Sequence, residues 1–305
     1  MCLPALRAIR GRFPRAHIAI LAKPAVADLY ARESCADEVI RYSATPWQTA
    51  RDLRSRNFDC AVLLQNAFEA AWIAWLARIP NRIGYRRDGR GLLLTDAVRV
   101  PKRGEIPRHE RFYYLELLHR AGLVENLHES PMIRLEKLAV TPARVIGVSP
   151  GAAYGNAKRW LPERFAAAAG KLAHARGASI ALFGSAAERE VCEQISQLLN
   201  GHTIVNHAGQ TTLAQFIGLA AACELFLTND SGAMHVTSAL GIPTVAIFGA
   251  TDDIATGPTG PNARVVREPV ECSPCLLREC PIDHRCMMRV GADRVVREAL
   301  ALLID

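Results

Sequence analysis

Apolar and polar positions alternate along the first 85 residues between a helical period and short apolar runs. An amphipathic stretch over 3–11 leads into the run HIAILA at 17–22, a helical pattern begins at Pro24, and DEVIRY at 37–42 reads as a second strand. A helix over about 46–56, the strand DCAVLL at 59–64, an aromatic-bearing helix over 67–77 and the strand NRIGY at 81–85 continue the rhythm. Strands that alternate with helices of this length predict a parallel sheet covered on both faces. Arginines among glycines and prolines interrupt the pattern over 86–107, which predicts loop and edge elements, and a helix follows from Arg108 to Ala121, closed by Gly122.

After a proline-punctuated stretch the rhythm restarts at VIGVSPGA, residues 145–152. Strands near 178–183, 202–206, 224–228 and 243–248 alternate with helices beginning near Pro162, Ala187, Thr211 and Gly232. The expected organisation is therefore α/β, with Rossmann-like domains over 1–140 and 141–305 and ligands at the carboxyl ends of the strands. The loops that follow strands in the second half become the place to look for chemistry.

Charge sharpens the division. Residues 1–140 carry 23 Lys and Arg against 15 Asp and Glu, whereas 141–305 carry 14 against 15, so the whole positive excess lies in the first half. A basic first domain suits an anionic partner: a nucleic acid, an anionic membrane surface or a phosphorylated glycolipid. It also suits a merely arginine-rich surface. No run of about 18 apolar residues is present and the N-terminus lacks a signal-peptide pattern, so a cytoplasmic protein with reduced cysteines is expected.

Three strand-to-loop junctions stand out. In LFLTNDSGAMH, residues 225–235, an apolar strand runs into Asn229-Asp230-Ser231-Gly232 and then a helix. Asp230 and Ser231 are expected to cap that helix, Gly232 to let a phosphate approach its first N–H groups, and His235 to lie on its first turn. Asp-Ser-Gly is equally an ordinary helix start. The loop SPGAAYGNAKRW, 149–160, holds small residues including Gly151 and ends in Lys158, one of five lysines in an arginine-rich chain. A point charge for a phosphate and a plain surface cation both fit it. The third junction, LFGSAAERE at 182–190, has Gly184 and Ser185 where a base or ribose would pass. None is a Walker loop or a GxGxxG fingerprint, which argues against an ATPase and a dehydrogenase.

Taken in order, PGAxYGxAKRW, the FGSA loop, HAGQTTL and NDSGAMH resemble glycosyltransferase family 9, the heptosyltransferases of lipopolysaccharide inner-core synthesis. The resemblance extends to LPALRAIRGRFP, RIGYRRDGRGLLLTDAV and RHERFYYLELL, and is greatest to the second heptosyltransferase. It implies a GT-B fold, an ADP-heptose donor held by the second domain, and an inverting, metal-independent transfer onto a lipid A–Kdo acceptor held by the first. It further implies that Lys158 contacts the donor and offsets leaving-group charge, that Asp230, Ser231, Gly232 and His235 hold sugar and diphosphate, and that Thr211 and Gly151 line the nucleotide site. Arg86, Arg87, Arg90, Arg7 and Arg10 become the candidates for acceptor carboxylates or phosphates, or for the anionic inner face of the membrane.

The family pattern also places a strand and a Gly-Asp loop immediately before the helix that reads Met1-Cys2-Leu3-Pro4-Ala5-Leu6. Its aspartate, the presumed general base, would align three positions before Met1, so this sequence is expected to start too far downstream or to be naturally shortened and inactive as written. Cys272, Cys275, Cys280 and Cys286 have a spacing that would suit a zinc knuckle, although the family's transfer needs no cofactor. Two rival readings remain: a nucleotide-sugar epimerase on the same plan, and a non-catalytic protein with a zinc knuckle that binds nucleic acid. The transferase reading expects no nucleic-acid partner.

Overall fold

The computed structural model describes residues 1–125 and 131–304. The chain divides into two compact units, Met1–Ile133 and Arg134–Asp305.

In the first unit, strands β1 (Ala19–Ala22) and β2 (Glu38–Arg41) pair in parallel, and β3 (Cys60–Leu63), β4 (Asn81–Tyr85) and β5 (Asp96–Val98) form a second parallel set. The helices are α1 (Leu3–Arg12), α2 (Pro24–Tyr30), α3 (Pro46–Arg54), α4 (Phe68–Leu76) and α5 (Glu110–Arg120). Local chemistry sets their ends. At α3 the Thr45 hydroxyl accepts the Gln48 N–H at 3.2 Å and Pro46 occupies the first turn, where its missing N–H costs nothing. The inward face of α3 is Thr49, Ala50 and Leu53, and it packs with Ile73, Ala74 and Ala77 of the α4 region. Helix α5 turns Leu115 and Leu118 onto Ala5 of α1.

The second unit has one six-stranded parallel sheet in the order β11-β10-β9-β6-β7-β8. Its strands are β6 (Ala143–Ser149), β7 (Ser179–Leu182), β8 (Ile204–Asn206), β9 (Cys223–Asn229), β10 (Thr244–Phe248) and β11 (Ala263–Arg267). Between them run α6 (Pro162–Arg176), α7 (Arg189–Leu198), α8 (Leu213–Ala221), α9 (Gly232–Ala239) and the short α10 (Asp253–Thr256). Two C-terminal helices, α11 (Arg285–Met288) and α12 (Ala292–Ala301), complete it.

Both faces of this sheet are dry, because successive residues of a strand point to opposite sides. Leu225 and Leu227 of β9 face Phe165 and Leu172 of α6 and Val295 and Ala299 of α12, while Phe226 faces Phe183, Phe216 and Ile242 on the other side. Strand order reverses between β6 and β9, which pair in register from Ile146–Leu225 to Ser149–Thr228. The loops leaving these two strands diverge to opposite sides of the sheet, and the crevice between them is where such a fold binds its ligand.

Candidate functional site

The two loops leaving the switch point are those carrying Lys158 and Asp230. The Lys158 ammonium lies 2.6 Å from Asp230 Oδ2, and the Thr251 hydroxyl donates to the same oxygen at 2.6 Å. Asp230 is buried and the Lys158 side chain is 15% exposed, so the charge pair sits at the mouth of the crevice with only its cationic end reaching solvent. The ammonium also lies 4.8 Å from the centre of the Tyr154 ring.

The position of Lys158 is enforced from several directions. Buried Asn229 bridges the two loops: its Oδ1 accepts the Trp160 N–H at 3.0 Å and its Nδ2 donates to the Pro150 carbonyl at 2.7 Å. Trp160, almost wholly buried, donates its indole N–H to the Val290 carbonyl at 3.0 Å. The cysteine-rich segment lies against the same loop. Tyr154 donates to the Leu276 carbonyl at 2.7 Å, the Ala157 N–H donates to the Arg278 carbonyl at 3.1 Å, and His284 Nε2 lies 3.1 Å from the Ala157 carbonyl. Gly155 is required by this contact, since a Cβ there would stand 2.1 Å from the Arg278 carbonyl oxygen.

Helix α9 starts at Gly232 beside the charge pair. The expected side-chain caps are absent: Ser231 makes no cap hydrogen bond and its hydroxyl lies 3.1 Å from that of Thr228, while the Asp230 carboxylate is taken by Lys158 and Thr251. Both side chains have partners in the loop core, so the Ser231 hydroxyl does not cap α9 and the Asp230 carboxylate is engaged elsewhere. Gly232 is exposed and a Cβ there would meet nothing within 4 Å. His235 is half-buried on the first turn. Thr211 is half-buried just ahead of α8, where Thr212 rather than Thr211 forms the cap, in a capping box with Gln215.

Sequence reasoning missed Glu188. Its carboxylate accepts the Ser185 N–H at 2.7 Å and the Ser185 hydroxyl at 2.9 Å, and lies against Gly151 so closely that a Cβ there would be 1.9 Å from Oε1. It is thus brought from the β7 loop onto the β6 loop. The sequence signal was a capping box, Ser185 followed three residues on by Glu188, which identifies a helix start and says nothing of the neighbouring loop.

The first unit sorts the arginine candidates. Arg90 is wholly buried and donates to the Tyr85 and Gln65 carbonyls and to Asn66 Oδ1, and burial lowers its pKa. It is a structural residue that ties the loop after β3 to the end of β4, and it has no surface to offer an acceptor. Arg7 pairs with buried Glu33 at 2.8 Å and Arg10 with Asp37 at 2.5 Å, so both are engaged within the unit. Arg86 and Arg87 are exposed and line a cavity of about 530 Å³ with Gly89, Gly91, Leu92 and Ala97. Arg87 is braced there by Asp88 at 2.9 Å and the Tyr113 hydroxyl at 3.4 Å.

Among the described residues no group of three or more His, Cys, Asp or Glu side chains could hold a metal ion. Cys286 is buried under Gly249, and burial, with the neighbouring Cys272, Cys275 and Cys280 thiols adding to it, raises its pKa. The segment acts here as a brace for the Lys158 loop.

A parallel α/β sheet with a cation and a helix start at its switch point suits the diphosphate of a nucleotide, as in nucleotide-dependent transferases of GT-B type. The sequence profile described as glycosyltransferase family 9 (heptosyltransferase) matches residues 47–285. The chain is 31% identical to lipopolysaccharide heptosyltransferase 2 of Escherichia coli K12, over 98% of this chain and 93% of that protein. It is 32% identical to lipopolysaccharide heptosyltransferase 2 of Salmonella typhimurium, over 86% and 82%. The solved structure of the E. coli ADP-heptose LPS heptosyltransferase II superposes with a TM-score of 0.85 at 30% identity, covering 99% of this chain and 93% of that one. The chain belongs to glycosyltransferase family 9.

Proposed function

We propose that this protein transfers heptose from ADP-L-glycero-D-manno-heptose to the heptosyl-Kdo-lipid A inner core of lipopolysaccharide, with inversion at the anomeric carbon. The observation that carries the reading is the Lys158–Asp230 pair beside the uncapped start of α9. As the bond from the anomeric carbon to the diphosphate oxygen breaks and the bond to the acceptor oxygen forms, the acceptor hydroxyl gives its proton to water and negative charge accumulates on the departing ADP. Lys158 and the first N–H groups of α9 stabilise that charge, so the reading assigns no cofactor.

Asp230, Ser231, Gly232 and His235 then surround the diphosphate and sugar, and Thr211 and Gly151 border the nucleoside. Glu188, an acceptor-only carboxylate at the β6 and β7 loops, suits the two hydroxyls of a ribose. The second unit holds the donor and the first the acceptor, with Arg86 and Arg87 facing its carboxylates or phosphates. No helix among the described residues is long and apolar enough to cross a membrane, and we place the enzyme peripherally on the cytoplasmic face of the inner membrane. The long match to two second heptosyltransferases favours this reading over the epimerase and nucleic-acid alternatives.

The test is incubation with ADP-heptose and Kdo-lipid A already carrying one heptose. A gain of one heptose mass with release of ADP is expected; transfer only to acceptor lacking heptose would move the assignment to the first enzyme of the series, and no transfer to either would overturn it.

A further inference from the structure

Three of the four tryptophans belong to helices α3 and α4 of the first unit, Trp47 and Trp75 exposed and Trp72 half-buried. On α4, Phe68, Trp72 and Trp75 follow one another at helical spacing on the face opposite Ala70, Ile73, Ala74 and Ala77, which are buried. Phe68 is 48% and Trp75 49% exposed. On α3, Trp47 is 61% exposed and meets Trp72 edge to face, with ring centroids 5.3 Å apart, so the two helices present one continuous aromatic face. The core beneath is filled by Ile40, Ala50, Leu53, Ile73, Ala74 and Ala77, and the rings stand outside it.

The same face carries cations. Arg51 and Arg54 stand four and seven residues after Trp47 on α3, both exposed, and neither makes an ion pair among the described residues. Asp52, the acidic neighbour on this helix, is turned aside to accept the Ser43 hydroxyl at 2.7 Å. Indole rings favour the boundary between hydrocarbon and water because they join a large apolar body to one N–H donor, and arginines beside them meet the phosphates at that depth.

We infer that the α3–α4 face, formed by Trp47, Trp72, Trp75 and Phe68 with Arg51 and Arg54, docks the protein on an anionic lipid bilayer. This deepens the transferase reading, on which it rests only in that a lipid-borne acceptor requires the enzyme at a bilayer. The rings sit at headgroup level and the two arginines supply the preference for negative lipid.

The experiment uses vesicles of phosphatidylcholine alone and of phosphatidylcholine mixed with phosphatidylglycerol, without nucleotide or sugar, so its outcome is independent of transfer. The full chain is expected to sediment with the anionic vesicles, and lipids brominated near the headgroup to quench part of its tryptophan fluorescence. Arg51→Gln/Arg54→Gln should weaken vesicle binding about 30-fold. Trp47→Ser/Trp75→Ser should remove most of the quenching, since buried Trp160 lies in the other unit, with the melting temperature of both variants checked against wild type. Unchanged vesicle affinity in both folded variants would overturn the inference, as would a patch whose substitution dissolves a homodimer in ultracentrifugation while leaving vesicle binding intact.

Discussion

The Lys158 ammonium and the Asp230 carboxylate, contributed by loops that leave neighbouring strands at the point where the sheet reverses its order, stand 2.6 Å apart. A buried carboxylate therefore fixes the lysine in place, and on the proposed transfer little reorganisation would remain when charge develops on the leaving group. Lys158→Ala should lower kcat by about 10²- to 10³-fold while raising the Kd for ADP far less, because the interaction grows toward the transition state. Stopped transfer assays at saturating donor, paired with calorimetry, check this. A variant that keeps its turnover and loses only donor affinity would make Lys158 a binding residue.

Gly151 and Glu188 make a second, tighter constraint. Gly151→Ala drives a methyl into the Glu188 carboxylate, and the displaced side chain loses both of its Ser185 hydrogen bonds. Overpacking of this kind costs about 1–3 kcal/mol. Adding Glu188→Ser should recover the melting temperature but not the ADP affinity, if Glu188 serves the ribose. Recovery of both by the double variant would show that Glu188 has no part in nucleotide binding.

The β1-to-α5 rhythm and that of β6 to β10 were legible because each element carried its own punctuation, as in Thr45-Pro46 before α3 and Pro162 at the start of α6. Strand β11 and the helices α11 and α12 were not assigned, since ARVVR is short and follows Gly-Pro, and the cysteine spacing drew attention to metal chemistry instead. Lys158 and Asp230 were both marked as candidates, each on its own loop. That they pair was beyond reach, because the pairing follows from sheet order and not from local pattern. For the same reason a buried arginine such as Arg90 looked identical to the exposed Arg86 and Arg87 beside it.

Arg90 provides a test of that distinction. Removing its guanidinium leaves the Tyr85 carbonyl without its buried donor and takes one donor each from the exposed Gln65 and from Asn66, which keeps the Tyr113 hydroxyl at 3.3 Å, and lysine has no planar fork with which to replace three separate contacts. Arg90→Lys and Arg90→Ala should each cost about 3 kcal/mol or more, read as a lowered urea midpoint at unchanged slope. Arg86→Ala, on an exposed side chain, should leave the midpoint within about 0.5 kcal/mol of wild type. Equal stability of the Arg90 and Arg86 variants would contradict the structural role.

Glu105 couples the segment after β5 to the end of α5 and makes that link sensitive to acid. Its carboxylate accepts from Arg120 at 2.8 Å, from the Lys102 N–H at 2.8 Å and from Arg99 at 3.0 Å, and Arg120 is itself held by Glu116 at 2.5 Å. These donors, Arg120 foremost, bring its pKa from the ordinary 4.5 down to about 2. Because the folded value lies below the unfolded one, the native state binds fewer protons between them, and the contribution to stability is complete above the unfolded value and disappears as pH falls toward 2. Glu105→Gln keeps the shape and removes the titration. The melting temperature of wild type should therefore exceed that of Glu105→Gln by a constant margin above about pH 5, with the gap closing as the solution is acidified through the 4.5-to-2 window. Since Glu105 is exposed to solvent and its partners are screened, the margin should also shrink in high salt at neutral pH. Melting curves that stay parallel from pH 7 to pH 3 would show that this cluster does not titrate with folding and that the acid sensitivity of the first unit lies elsewhere.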